Sequence, residues 1–150
     1  MTKNTFFFAF MIVFAGVASA QEIRISGHQV VASDSTWTVN AGTTVVFGPN
    51  ASVEVLGGLE FQGTVDMPIR ITSLDPNEGT GLGFLINGQS NTYINLNNII
   101  VNNLQTPFRF DLFWYRSRAT LSYVGFYENN QEFKRNAPIV SVGVPFLRLE

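Results

Sequence analysis

The side chains able to do chemistry in this chain are few and scattered. Its eleven carboxylates form only two close pairs, Asp75 with Glu78 and Glu128 with Glu132. Asp75-Pro76-Asn77-Glu78-Gly79 has the composition of a tight turn. Its oxygens could hold a calcium ion, although a loop of this kind also serves as an ordinary solvated turn. Glu54 and Glu60 sit on alternating strand-like pieces and are expected to face outward. There they could form the carboxylate pair of a glycoside hydrolase or simply line a solvated sheet face. His28 is the sole histidine, which excludes any site needing two, and after Gly27 it reads as polar surface in a turn. With no cysteine present, a nucleophile would have to be Ser or Thr, and no Gly-x-Ser-x-Gly context occurs. These residues identify no enzyme.

The most distinctive local stretch runs from Thr106 to Arg118. As an extended strand it sends Phe108, Phe110, Leu112 and Trp114 to one side and Arg109, Asp111, Phe113, Tyr115 and Ser117 to the other. One side can join a core. The other would leave aromatic rings beside Arg side chains, a combination that stacks on sugars or anchors a protein contact. Phe113, Trp114, Tyr115 and Arg116 are therefore the candidate binding residues, the alternative being that a neighbouring loop covers both faces.

The elements that must position these groups begin after a leader. Lys3 precedes an apolar run from Phe6 to Val17, followed by Ala18-Ser19-Ala20, the small-x-small pattern of a cleavage site. This predicts a secretory signal peptide over 1–20, a mature chain from Gln21, and a secreted or outer-surface location. No transmembrane segment is expected in the mature chain, and without cysteine neither a lipid anchor at the cleavage point nor a disulfide framework is possible. Removing Lys3 leaves eight basic against eleven acidic side chains, a net charge of −3. That weak, mixed field argues against a nucleic-acid partner.

From Glu22 onward the chain breaks into short apolar or alternating pieces at 22–26, 29–31, 36–39, 42–47, 51–56, 59–61 and 68–72, each bounded by Gly, Asn, Pro, Ser or Asp. Pieces so short and so evenly punctuated predict an all-β sandwich or solenoid. An internal repeat favours the solenoid. The block 94–103 aligns over 121–130 at an offset of 27, matching Ile94 with Leu121, Leu96 with Tyr123, Ile99 with Phe126 and Ile100 with Tyr127, and both blocks close with Asn-Asn. Asn at one turn of successive coils is expected to form an amide ladder, unless the two Asn-Asn pairs are unrelated surface turns.

The run 39–64, with Ala41-Gly42-Thr43, Gly57-Gly58-Leu59 and Gly63-Thr64, followed by Pro68-Ile69-Arg70-Ile71-Thr72, resembles the opening coils of right-handed parallel β-helix repeat proteins exported by Bacteroidetes and related bacteria. The similarity covers roughly 39–130. Leu82-Gly83-Phe84-Leu85-Ile86 stands where that family carries a Trp-Gly-Ile strand, without the Trp. The resemblance implies β-helix coils over 40–150, with Gly57, Gly58 and Gly63 at corners where no side chain fits; because open solenoid ends expose strand edges, a cap is expected over 21–39, and the apolar segment 145–150, which lacks a polar capping sequence, is expected to continue into a longer protein. Separately, Asp34-Ser35-Thr36 fits a short acceptor motif that resembles the Bacteroidetes O-glycosylation signal, with Ser35 as the candidate residue.

Such a scaffold hosts lyases, glycosidases, adhesins and inert stalks alike. Because convergent catalytic groups are absent from the sequence, the expected function is non-catalytic. The module would be a scaffold, an adhesin or a glycan-binding surface, with a polysaccharide or a cell-surface protein as partner and no cofactor beyond a calcium candidate at Asp75 and Glu78. The alternative is the N-terminal part of a polysaccharide lyase or glycoside hydrolase, its catalytic coil beyond Glu150 or built from Asp75, Glu78 and Arg70.

Overall fold

The computed structural model describes residues 20–75, 81–88, 92–113, 118–127 and 133–135. Twelve strands account for most of them: β1 (Glu22–Ile25), β2 (His28–Val31), β3 (Thr36–Asn40), β4 (Thr44–Phe47), β5 (Ser52–Val55), β6 (Gly58–Gln62), β7 (Ile69–Ser73), β8 (Gly83–Gly88), β9 (Tyr93–Asn102), β10 (Phe108–Phe113), β11 (Arg118–Tyr127) and β12 (Phe133–Arg135). The described residues contain no helix. Among the described residues every strand pairing is parallel, and each strand from β1 to β10 pairs with a strand one coil later. The chain is a parallel β-solenoid of about four turns.

Three faces build each coil. The first contains β3, β6 and the opening halves of β9 and β11, and the second β1, β4, β7 and the closing halves of β9 and β11. The third is the five-stranded sheet β2, β5, β8, β10 and β12. After a partial turn from β1 and β2, the coils are β3 to β5, β6 to β8, β9 with β10, and β11 with β12. Within the segment 21–39, expected as a cap, β1, β2 and β3 pair in register with β4, β5 and β6.

Alternation decides which side chains go inside, and register then puts like residues in columns. Ile23, Val45, Ile71 and Val101 follow one another on the second face. On the first, Val39 is followed by Phe61 and Leu96, and on the third Val55 by Ile86 and Phe110. Inside these columns the rings of Trp37, Phe61, Phe84, Phe108 and Phe126 touch in sequence, Phe84 stacking on Phe108 at 5.0 Å between centroids. No disulfide is available, so this burial carries the fold.

The corner between the first and second faces shortens along the solenoid. A six-residue loop, 63–68, joins β6 to β7, whereas in the next coil one residue, Asn98, does the same inside β9. Asn98 is left-handed, with φ of 50°, and its Nδ2 donates to Asn97 Oδ1 at 3.1 Å and to the Gly63 carbonyl at 3.4 Å. Close packing at the corners leaves no room for a Cβ. One built on Gly57 would lie 2.1 Å from the Ala32 carbonyl oxygen, and one on Gly63 2.3 Å from that of Asn98.

The repeat offset differs from the expected 27. Ile94 pairs with Ala119, Leu96 with Leu121 and Ile99 with Val124, an offset of 25. A shift of two residues keeps every side chain on its face, so both alignments satisfy the apolar pattern, and the ladder selects the shorter. Asn102 consequently lies beside Tyr127; Asn40, Gln62 and Asn97 align in register on the first face, but the buried Gln62 Nε2 bonds to neither neighbour. The strict alternation expected from Phe108 onward holds through Phe110. A register shift between Phe110 and Leu112 then interrupts it.

Candidate functional site

Outward positions form polar rows. On the first face Thr38, Glu60, Asn95 and Thr120 follow one another across four coils, beside the parallel row Asn40, Gln62, Asn97 and Ser122. Neighbouring members are separated by one strand spacing, about 4.8 Å. Three exposed tyrosines accompany the later coils: Tyr93 at the start of β9, Tyr123 at the corner of β11, and Tyr127 at its end. Tyr123 is the most exposed, at 77 %. It has φ of 55° and takes the same corner as Asn98 one coil below, since the ladder resumes on either side of both. A bulky residue in this conformation is strained, and strain of this kind collects where a side chain is needed for contact. Tyr127 folds back over Gly125, its ring lying where a Cβ on that glycine would sit.

A second polar cluster lies on the third face. His28 opens β2 rather than lying in a turn, and stands opposite Ser52 in the ladder. Its Nδ1 is 2.9 Å from Ser52 Oγ, and its Nε2 is 3.4 Å from Glu54 Oε2. From the following coil Asn87 donates its Nδ2 to Glu54 Oε1 at 2.8 Å. Four side chains from three successive turns of chain are linked, and sequence reading did not connect them. The usable signal was Ser52-x-Glu54, which puts both side chains on one face, together with a histidine one coil length earlier.

The residues singled out by sequence are dispersed. Glu54 is on the third face and Glu60 on the first, so they form no carboxylate pair. Arg70 points outward from β7 between Thr44 and Ile100, and Asp75 is half-buried just after that strand, while Glu78 lies outside the described residues. Among the described residues no group of three or more His, Asp or Glu could hold a metal ion. Ser35 is exposed, its Oγ 3.3 Å from Asp34 Oδ1. Phe113 ends β10 opposite Gly88, and Trp114, Tyr115 and Arg116 lie outside the described residues, as do 1–19 of the expected leader. No helix among the described residues is long and apolar enough to cross a membrane.

No family model, curated protein or solved structure matches this chain.

Proposed function

We propose that the chain is an exported solenoid module that binds glycan on the outer surface of its third and fourth coils. The observation that carries this reading is Tyr123, an exposed ring held in a left-handed corner where Asn or Gly would be relaxed. Sugar rings stack on exposed aromatic faces, and rows of amide and hydroxyl groups at strand spacing offer hydroxyl partners beside them. Asn95, Asn97, Thr120 and Ser122 supply those rows between Tyr93 and Tyr123. The apolar leader supports export, and a surface glycan or glycoprotein is the partner that follows. Phe113, Trp114, Tyr115 and Arg116 are added to this reading on their residue types alone.

The test is affinity electrophoresis of the chain from Gln21 in gels containing neutral or acidic polysaccharides, with and without calcium. Retardation in at least one gel, unchanged by a chelator and reduced in Trp114→Ala and Tyr93→Ala, is expected. Depolymerisation that disappears in Asp75→Ala would establish a lyase or hydrolase instead, and free migration in every gel would overturn glycan binding.

A further inference from the structure

The linked side chains of the third face have an order that suits a different activity. Glu54 accepts a hydrogen bond from Asn87 on one oxygen and faces His28 Nε2 with the other. A carboxylate only accepts, so it favours the tautomer bearing hydrogen on Nε2. That leaves the Nδ1 lone pair for the Ser52 hydroxyl, 2.9 Å away. Nucleophile, base and orienting carboxylate thereby stand in the sequence that activates a serine. The ring is turned relative to the commonest arrangement, in which the serine meets Nε2. Either nitrogen serves as base when the other holds the proton.

We propose that Ser52, His28 and Glu54 form a nucleophile, base and orienting group that hydrolyses carboxylic esters of short acyl groups. The inference is independent of glycan binding and adds an activity to a chain otherwise read as non-catalytic.

Parallel register is what assembles the group. His28 and Ser52 are ladder partners, and Glu54, two residues on, shares their face within reach of the imidazole. Access is open: the His28 side chain is 54 % exposed, and the partner on the far side of Ser52 is Gly83, which carries no side chain. Val30 and Leu85 are the ladder partners of Glu54 and provide apolar contact for a small acyl or alkyl group.

In the first half-reaction Ser52 Oγ bonds to the ester carbonyl carbon while its proton passes to His28 Nδ1. The carbon–alkoxy bond then breaks, and the alcohol leaves with that proton. In the second half-reaction water gives a proton to Nδ1 and its oxygen bonds to the acyl carbon. The Oγ–acyl bond breaks, Ser52 recovers the proton, and the carboxylic acid departs. One ester and one water become one acid and one alcohol, with nothing oxidised or reduced. Ser52 and His28 are the catalytic residues, while Glu54 positions the ring and Asn87 holds Glu54.

The experiment treats the full chain with a fluorophosphonate probe, maps the modified serine by tandem mass spectrometry, and follows p-nitrophenyl acetate hydrolysis in parallel. An activated ester is chosen because its phenolate leaves with the least assistance. Modification centred on Ser52 is expected, with loss of both signals in Ser52→Ala and His28→Asn. Glu54→Gln is expected to slow labelling roughly 100-fold, the lower end of the range attributed to an acid–base partner, while its melting temperature stays near that of the wild-type chain. Ser52 no more reactive than the chain's other serines would overturn the proposal without reference to any variant. So would undiminished labelling in a folded His28→Asn chain, which would leave the contacts a purely structural network.

Discussion

Tyr123 stands one coil above Asn98 in the same left-handed corner, at φ of 55° against 50°. The two residues answer one backbone requirement in different ways. Asn98 hydrogen-bonds back to Asn97 and Gly63, whereas Tyr123 projects into solvent.

Asn98→Ala removes both side-chain hydrogen bonds and keeps a Cβ in a conformation that L-residues resist. A loss of about 1 to 2 kcal/mol in unfolding free energy is expected, measured by denaturant titration. Asn98→Gly, which relieves the backbone conformation, should recover part of it.

Phe84 touches the rings of Trp37, Phe47, Phe61 and Phe108 and is 1 % exposed. Truncation there opens a cavity bounded by three coils at once. Phe84→Ala should destabilise the solenoid by about 3 to 5 kcal/mol, with Phe84→Leu losing less. Thermal unfolding of the pair provides the measurement.

Gly57 faces the Ala32 and Ser35 carbonyl oxygens at distances no Cβ can share. Because the obstacle is backbone and not a flexible side chain, Gly57→Ala has to displace the first two turns relative to each other. A loss at or above the upper end of the ~1–3 kcal/mol typical of overpacking is expected, with hydrogen exchange rising first in β2, β3 and β6.

Strand positions were legible because alternation survives local irregularity: each apolar piece read from the sequence overlaps a strand, from Ile23 and Ile25 in β1 to Phe108 and Phe110 in β10. Register was less so. Coil spacing runs from 22 residues between Thr36 and Gly58 to 35 between Gly58 and Tyr93, and only hydrogen bonding separates an offset of 25 from one of 27. The same gap hid the third-face cluster. His28 precedes Ser52 by 24 positions, a spacing that becomes a contact only once the intervening coil is closed. The corner at Tyr123 was hidden for another reason: tyrosine is a favourable strand residue, and nothing local marks it for a left-handed turn.

The central claim is that Tyr123 is kept in a strained conformation for the sake of binding. Its most direct test is Tyr123→Asn, with melting temperature and polysaccharide retention measured on the same preparation. The account predicts opposite signs: a melting temperature a few degrees higher, from relief of about 1 kcal/mol of backbone strain, together with a clear loss of retention. A variant no more stable than the wild-type chain that still binds glycan equally well would contradict it.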